Sequence, residues 1–468
     1  MPDAGGQIRI GFFETVREKR FLCGYGIFSC VLVFNAIVSH PPCMAKEVQG
    51  IKPQNSSHVR LSGIVNGKTK VRVKIFPHKK RYPPHEKDRM YSQVKLESAA
   101  PCSLFRGLKD YPGSDGSMVL SGSSFEFSSK NFTHPLWLEC SSVVKLVRKR
   151  GLPSFEYSGG LYIHMLQDDE LEVINVVSLS EYLEGVVPSE VSKGWTREAL
   201  RTQAVAARSY AVFHLIFSRI YLPDRLYDVD DTIQFQVFTG RSILNETANL
   251  AIRDTEDEVL TYKNSVVQAY YHADSGGYTE DAMNVWGFDV PFVEGRMEPF
   301  YEKLGDPFVW EKEIDLEKFS KKLVSLKILP PGGRVDSLTV PADGRTRGQR
   351  VQRVAAMVKG GGQKNISIQV FRQIVPNLPS MLFDIVKNDG SDKKSTFLVK
   401  GKGIGHGVGM NQRGARLLAE SEGWPYDRIL KFYYGGTDIC RLSSGMVKNK
   451  RYPECIYSPS ASKLEPIL

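Results

Sequence analysis

Two separated segments constrain the fold of this chain more than any other feature. The first, LEGVVPSEVSKGWTREALRTQAVAARSYAV, runs from Leu183 to Val212, and the second, GKGIGHGVGMNQRGA, runs from Gly401 to Ala415. A third segment, from Tyr270 to Gly287, lies between them in the sequence and is rich in polar and aromatic residues. If the three segments fold onto one surface, they form a polar cleft.

The first segment begins with a helix that has one apolar face. Glu181 and Glu184 fall away from that face and are predicted to be solvated. Pro188-Ser189 is predicted to interrupt the helix, because proline lacks the backbone N–H that helix propagation requires. The apolar positions at helical spacing are Tyr182, Leu183, Val186 and Val187.

A second helix is predicted to open at Thr196. Threonine is a good N-cap, and Glu198 in the first turn suits the helix dipole. Small side chains along this helix predict close packing against neighbouring elements. They are Ala199, Ala204, Ala206, Ala207 and Ala211.

Glu190 is the candidate acid of the first segment. A carboxylate at a helix break beside apolar Val187 and Val191 is partly desolvated, which raises its pKa and lets it hold a proton near neutral pH. A general acid for glycosidic cleavage needs that property. On spacing alone, a capping or surface glutamate is the alternative interpretation.

The third segment, which lies between the other two in the sequence, is predicted to follow a hairpin and to begin with a sharp turn. Strand-like Glu258–Tyr262 and Val266–Tyr271 are separated by Lys263-Asn264-Ser265. His272 ends the second strand, and Ser275 lies in the turn that follows. Ser275 lacks the Gly-x-Ser-x-Gly frame of a nucleophile elbow. A strand-end histidine bonded to a turn is therefore the simpler interpretation.

The second segment alternates glycine with other residues from Gly401 to Gly409 and carries His406. It matches neither the phosphate-binding loop nor the dinucleotide-binding spacing. Alternate glycines predict a flat backbone that a bulky ligand can approach, although a plain flexible loop is an equal alternative. Asn411 is predicted to begin a helix whose N-terminus favours anions.

Charge and composition limit the partners. The chain has 468 residues, a formal net charge of +10 and a pI near 9.0, which favours an anionic partner such as nucleic acid, anionic lipid or an acidic polysaccharide. The basic runs from His78 and Val147 are short and read as solvated faces. Nucleic-acid binding has only the net charge in its favour and conflicts with the export segment described next.

The N-terminus predicts export. The stretch Phe21–Val38 carries no charge and follows Arg17-Glu18-Lys19-Arg20. It is either a cleaved signal or an uncleaved membrane anchor, so the rest of the chain is expected outside the cytoplasmic membrane. The four later cysteines permit the disulfides Cys102–Cys140 and Cys440–Cys455, with free buried thiols as the alternative.

The pattern of elements predicts an α+β fold, with a helical catalytic core flanked by strand-rich subdomains that form a substrate groove. We divide the chain into a signal or anchor (1–45), a basic linker with early strands (46–115), a strand-rich N-terminal region (116–170), a main domain (171–440) and a tail (441–468). Within the main domain, 308–399 is predicted to be a strand-rich insertion with a helix at Leu316–Leu326 and a strand at Ser367–Val370.

The motifs from Leu171 to Cys440 resemble the SpoIID/LytB family of bacterial cell-wall proteins. The stretches that carry the resemblance are LEGVVPSEV, EALRTQAVAARSYAV, YYHADSGGYTEDAMNVWG and GKGIGHGVGMNQRGARLLAE, in the family's order. The resemblance implies a lytic transglycosylase that cleaves peptide-denuded peptidoglycan between N-acetylmuramic acid and N-acetylglucosamine and leaves 1,6-anhydromuramic ends. A non-catalytic glycan-binding protein or amidase enhancer is the alternative.

The resemblance also implies roles for residues and partners. The family's catalytic glutamate falls on Glu190, which acts alone as acid and base. An amidase that removes stem peptides is a possible partner, and the cell envelope is the expected location, with the membrane touched only through the N-terminal segment. Substrate-binding roles are assigned to polar and aromatic residues of the same motifs, although Gln203, Arg208 and Tyr210 each also have a simple structural interpretation. The assigned residues are Gln203, Arg208, Tyr210, His272, Ser275, Trp286, His406 and Gln412.

One departure from the family pattern concerns metal. Many members have Cys-Asp-x-x-His-Cys-Gln-x-Tyr before the middle motif and use it to help bind zinc. Here Asp230, Gln234 and Phe235 stand in place of the two cysteines and the histidine. An Asp–Gln pair is a poor zinc site, so we predict no metal and no cofactor, with packing around Phe235 in place of the ion.

Overall fold

The computed structural model describes residues 59–60, 69–76, 91, 93–106, 118–120, 124–128, 135–147, 154–166, 170–304, 308–388, 396–442 and 456–457. The predicted export segment Phe21–Val38 and the cysteine at Cys455 lie outside these residues. Within the described ranges, no helix is both long enough and apolar enough to cross a membrane.

The described chain mixes helices and strands, which confirms the α+β prediction. The α-helices are α1 (Leu179–Glu190), α2 (Arg197–Tyr221), α3 (Glu246–Asp254), α4 (Ala282–Trp286), α5 (Leu316–Ser325), α6 (Ile368–Ile374), α7 (Gln412–Glu420) and α8 (Tyr426–Tyr433). Short 3-10 helices cover Tyr301–Leu304 and Ala342–Gly344.

The strands form several separate sheets. In chain order they are β1 (Val59–Arg60), β2 (Lys70–Ile75), β3 (Gln93–Ser98), β4 (Cys102–Arg106), β5 (Met118–Leu120), β6 (Ser124–Ser128), β7 (Leu136–Cys140), β8 (Val144–Val147), β9 (Phe155–Tyr157), β10 (Gly160–Met165), β11 (Leu171–Ser178), β12 (Val229–Asp230), β13 (Glu258–Tyr262), β14 (Ser265–Val266), β15 (Tyr271–His272), β16 (Val309–Asp315), β17 (Val335–Thr339), β18 (Arg353–Val358), β19 (Gln363–Ser367), β20 (Phe383–Lys387), β21 (Thr396–Lys402), β22 (Met410–Asn411), β23 (Asp438–Arg441) and β24 (Ile456–Tyr457).

Two mainly antiparallel sheets are built almost entirely from strands that precede α1, with β12 as the exception. One has the order β12-β2-β11-β10-β7-β4-β5, and the other has the order β6-β3-β8-β9. Strand β3 alternates exposed and buried residues, so one of its faces packs on the core. Strand β11 is buried along almost its whole length because it lies inside the larger sheet and leads directly into α1. The larger sheet therefore fixes where α1 begins.

A disulfide joins two neighbouring strands of the larger sheet. Cys102 on β4 pairs in register with Cys140 on β7, and the two sulfurs are bonded. The predicted Cys102–Cys140 pairing is therefore confirmed. Cys440 is also disulfide-bonded, while its predicted partner Cys455 lies outside the described residues. The alternative of free thiols is wrong for Cys102, Cys140 and Cys440.

Helix α1 starts with a capping box. The Ser178 hydroxyl accepts from the Glu181 N–H at 3.2 Å, and the Glu181 carboxylate accepts from the Ser178 N–H at 3.0 Å. These bonds satisfy two backbone donors that a helix start otherwise leaves open. Glu181 is thus a half-buried capping residue, and its predicted role as a solvated side chain is wrong.

The predicted interruption at Pro188-Ser189 is also wrong, because α1 continues through Pro188 to Glu190. Proline removes a single N–H bond, and here that loss falls in the last turn. The Ser189 hydroxyl donates to the Gly185 carbonyl at 2.6 Å and helps to hold that turn. Glu190 nevertheless lies between two helices, at the end of the first.

Helix α2 lies between two hydrophobic cores. Ala204 and Ala207 contact the core built on the N-terminal sheets, whereas Val205 and Ala206 contact the core that includes α7, α8 and the insertion. The predicted N-cap at Thr196 is confirmed, although its side chain makes no capping bond. Small side chains let neighbouring helices approach this axis closely, so α2 is the central element that both halves of the site share.

The stretch from β16 to β21 contains two three-stranded sheets, with orders β16-β21-β20 and β17-β18-β19. The helix predicted at Leu316–Leu326 is confirmed as α5. The strand predicted at Ser367–Val370 is wrong beyond its first residue. Ser367 ends β19 and caps α6, where its hydroxyl accepts from the Val370 N–H at 3.4 Å. A serine cap outweighed the β-branched residues that followed it.

Candidate functional site

Glu190 ends α1 as a half-buried carboxylate with one backbone donor. The Val237 N–H donates to Glu190 Oε1 at 2.7 Å. Next to it, the hydroxyls of Ser189 and Thr239 lie 2.8 Å apart and share a hydrogen bond. The loop after β12 is therefore attached to the last turn of α1 at two points, and the orientation of the carboxylate is set by that loop.

Gln236 holds this loop in place from inside the protein. Its side chain is 1% exposed. Oε1 accepts from the Tyr182 hydroxyl at 3.2 Å, and Nε2 donates to the Tyr271 hydroxyl at 2.9 Å and to the Ala207 carbonyl at 3.3 Å. One amide thus links α1, α2 and β15, directly beside the residue that binds Glu190.

Three phenols lie in the field of the Glu190 carboxylate. Burial raises the pKa of Tyr271 well above its ordinary value, and the Glu190 charge is the next cause. Burial is also the first cause that raises the pKa of Tyr182 and Tyr210, and Glu190 contributes to both. All three phenols stay neutral at physiological pH and remain hydrogen-bond donors.

The glycine-rich loop packs tightly instead of lying flat. Gly403, Gly405, Gly407 and Gly409 all have positive φ, between +72° and +105°. A Cβ on Gly409 would lie 2.1 Å from the Tyr270 carbonyl oxygen, and a Cβ on Gly407 would lie 2.4 Å from Arg350 Nη2. The prediction of a flat backbone is wrong. These glycines let the loop dock against the chain around Tyr270, and Gly401 belongs to β21.

His406 and His272 face each other across this loop. Their ring centroids are 5.5 Å apart, and the half-buried His406 ring lies 5.1 Å from the ring of buried Trp286. His406 Nδ1 accepts from the Val408 N–H at 3.0 Å, while His272 Nδ1 lies 3.1 Å from the Val408 carbonyl and must carry the proton. The two rings are thus held by one residue.

Both histidines are neutral. Burial, followed by the Arg350 guanidinium, lowers the pKa of His406 to about 3. Burial is the largest cause that lowers the pKa of His272 well below its ordinary value. Electrostatic interactions with His406 and then with Arg350 lower it further. Neither ring is in the doubly protonated imidazolium form near neutral pH, so neither can act there as a cationic acid.

Ser275 belongs to a buried hydrogen-bond network. It is fully buried, its hydroxyl donates to Glu298, and it accepts from Asn411 Nδ2 at 3.0 Å. The Tyr433 hydroxyl donates to the same Glu298 at 2.6 Å, and burial raises the pKa of Glu298. These contacts fit a structural role for Ser275 better than contact with a substrate. Sequence reasoning missed Glu298, which no motif marked.

Two further predicted binding residues are also internal. Arg208 is 2% exposed, and its guanidinium donates to the carbonyls of Ile252 at 2.9 Å and Glu258 at 3.1 Å, so it joins α3 to β13. Gln203 is fully buried and accepts from Gln412 Nε2 at 3.3 Å. This last bond ties α2 to α7 and physically joins the two segments that dominate the sequence.

Aromatic rings connect the two ends of the site. The Tyr210 ring lies 6.5 Å from that of Tyr271, which is near Glu190, and 6.4 Å from that of Tyr270. The Tyr270 ring in turn lies 4.5 Å from Trp286. Tyr271 and Gln236 were missed at the level of sequence, although Gln236 lies within the family pattern compared above and Tyr271 precedes His272 directly.

The positions that correspond to zinc ligands do not fit a metal ion. Asp230 Oδ1 already accepts from the Thr232 N–H at 2.8 Å and from its hydroxyl at 2.6 Å. The Phe235 ring packs edge-on against the His214 ring, with centroids 4.9 Å apart. Burial, followed by Arg225, lowers the pKa of His214 to about 3. In the part of the chain that the structure describes, no three His, Cys, Asp or Glu side chains form a group that could hold a metal.

Comparison with known proteins places these features in a family. A family model described as SpoIID, stage II sporulation protein, matches residues 167–262, a range that includes Glu190 and Gln236. Stage II sporulation protein D of Bacillus amyloliquefaciens is 31% identical over 58% of this chain and 77% of its own length.

Two other relatives show similar identity. An uncharacterized protein of Brachyspira hyodysenteriae is 33% identical over 62% of this chain and 73% of its own length. The amidase enhancer of Bacillus subtilis is 31% identical over 55% of this chain and 40% of its own length. Because this chain covers 77% of stage II sporulation protein D at 31% identity, the chain belongs to the SpoIID family.

Proposed function

We propose that this protein is a lytic transglycosylase that cleaves peptide-denuded peptidoglycan strands between N-acetylmuramic acid and N-acetylglucosamine. The observation that carries the proposal is the half-buried carboxylate of Glu190 at the end of α1, to which the Val237 N–H donates. The neighbouring imidazoles are neutral, so Glu190 is the group available for proton transfer.

One carboxylate can complete this reaction. Glu190 first protonates the glycosidic oxygen, and the bond from that oxygen to the muramic C1 breaks. The C6 hydroxyl of the same sugar then bonds to C1 and gives its proton to Glu190, which returns to its starting state. No second carboxylate is required as a nucleophile or to activate water, in contrast to ordinary retaining or inverting hydrolysis.

The substrate class agrees with the charge of the chain. Strands without stem peptides carry free lactyl carboxylates, and the chain has a net charge of +10. We place the protein in the bacterial cell envelope, reached through the N-terminal export segment, with an amidase acting upstream to remove stem peptides. The relative named amidase enhancer supports a link to such an amidase.

The test compares wild type with Glu190→Gln on amidase-treated peptidoglycan. We expect wild type to release fragments with 1,6-anhydromuramic ends, which mass spectrometry identifies by a mass lower by one water than that of hydrolysed ends. Glu190→Gln should release none. Absence of anhydro ends with wild type, or equal amounts with the variant, would refute the enzyme assignment.

A second candidate function is non-catalytic glycan binding or amidase enhancement, which the relative named amidase enhancer favours. The same experiment separates the two when amidase release of stem peptides is also measured. A protein that binds denuded strands and accelerates the amidase, with equal effect in wild type and Glu190→Gln, would establish this alternative.

A further inference from the structure

Tyr271 lies at the point where the three site segments meet. It belongs to β15, where it pairs with Met410 of β22 immediately after the glycine-rich loop. Its hydroxyl is bonded to Gln236, the residue next to the Val237 N–H that binds Glu190. Tyr182 is fully buried, whereas Tyr271 is half-buried.

The direction of the Gln236 amide fixes the role of the Tyr271 oxygen. The carbonyl of Ala207 can only accept a hydrogen bond, so the atom of Gln236 that faces it must be Nε2. The same Nε2 faces the Tyr271 hydroxyl at 2.9 Å. The Tyr271 oxygen therefore accepts from Gln236, and its own proton is left for a different acceptor.

Among the charges that act on this phenol, the Glu190 carboxylate is the largest cause, after burial, of the raised pKa of Tyr271. A neutral hydroxyl that a buried amide holds in place, on a half-buried residue in the field of the reacting carboxylate, is a preorganised donor. Oxygens of a sugar chain laid against Glu190 are acceptors that such a donor can reach.

We propose that Tyr271 contacts the glycan directly and donates its hydroxyl proton to a sugar oxygen beside Glu190, with Gln236 setting the direction of that hydroxyl. This inference rests on the proposed function, because it takes the ligand to be the same denuded strand. It adds a specific recognition contact on β15 to the acid–base residue at the end of α1.

The experiment measures binding without turnover. Peptide-free glycan oligosaccharides are titrated calorimetrically into Glu190→Gln protein, and into the same protein carrying Tyr271→Phe. Loss of one hydrogen bond weakens binding by about 5- to 10-fold. Tyr162→Phe is the matched control, because Tyr162 is another half-buried tyrosine but lies on β10 of the N-terminal sheet, and it should change the affinity by less than about 2-fold.

A second variant tests the role of Gln236. Gln236→Glu retains the shape of the side chain but presents an acceptor to Tyr271, so the hydroxyl turns inward. We expect the same loss of affinity as for Tyr271→Phe, with the phenol still present. Circular dichroism and thermal melting confirm that each variant is folded.

The outcomes separate this inference from the proposed function. If the parent binds glycan but Tyr271→Phe binds equally well, or Tyr162→Phe loses as much, the Tyr271 contact is refuted and the proposed function stands. If the parent binds no denuded glycan and wild type cleaves none, the substrate class is wrong and the Tyr271 contact falls with it.

Discussion

The two ends of the site are built on different principles. At the Glu190 end, the Val237 N–H donates to the carboxylate, and the Glu190 charge contributes to the raised pKa of the neutral Tyr271 phenol. At the His406 end, the loop is packed so closely that glycine is required, and both imidazoles are neutral. On the proposed function, we expect proton transfer at the first end, with the second end shaping the site.

The largest expected effect is a difference in catalytic rate between substitutions at the two ends of the site. Glu190→Gln should lower the rate of anhydro-end formation by at least about 100-fold, as expected for loss of a general acid–base group. His406→Gln should lower this rate by less than about 10-fold, because the neutral His406 ring is not an acid near neutral pH. Initial rates on denuded strands measure both. A larger loss for His406→Gln would overturn the division of roles.

The close packing of the glycine-rich loop should contribute to the free energy of unfolding. Gly409→Ala adds a Cβ that meets the Tyr270 carbonyl at positive φ, so we expect a loss of about 3 kcal/mol in the free energy of unfolding. Gly423→Ala is the control, since Gly423 has φ +65° and no atom within 4 Å of its Cβ position; its loss should be about 1 kcal/mol. Urea denaturation measures both, and equal losses would mean that the loop tolerates displacement.

The neutral histidines predict a pH dependence of stability. The pKa of His406 and of His214 is lowered to about 3 in the folded protein, from about 6.5 when unfolded. The unfolded state therefore binds more protons between these values, and their contribution is complete above pH 6.5 and is lost as the pH falls toward 3.

Denaturation curves between pH 7 and pH 4 should show this loss. His406→Gln should make the decline less steep, while the pH profile of its residual activity between pH 5 and 8 keeps the shape of wild type. An unchanged slope of stability in this variant would show that His406 is protonated in the folded state.

The smallest expected effect concerns metal. Prolonged dialysis against a chelator should shift the melting temperature by less than about 1 °C, because zinc-site positions hold Asp230, Gln234 and Phe235. Phe235→Ala should cost about 2 kcal/mol, since a half-buried ring packed on His214 is removed. Stoichiometric zinc in the purified protein, found by mass spectrometry, would refute the prediction that this region is metal-free.

Local signals predicted local structure well. The N-cap at Thr196, the alanine-rich helix, the helix at Leu316 and the hairpin turn at Lys263-Asn264, which has positive φ at both residues, all follow from propensities of short segments. Two predictions were wrong, namely the helix break at Pro188 and the strand over Ile368–Val370. At each place a single contact at a helix end decided whether the short segment became helical.

The candidate site was predicted less completely, because burial is a property of the whole fold. Gln203, Arg208 and Ser275 have the polar chemistry of binding residues, but their partners come from distant segments and enclose them. Conversely, Tyr271 and Gln236 resembled ordinary strand and loop residues until the structure brought them next to Glu190.

The sequence by itself determined which segments to combine into a site and that Glu190 lies between two helices, because helix signals and family motifs are local patterns. Only the tertiary structure decided which polar side chains face outward, which glycines are required and which histidines are neutral. These properties depend on the atoms that surround each group, and those atoms come from residues separated by tens to hundreds of positions along the chain.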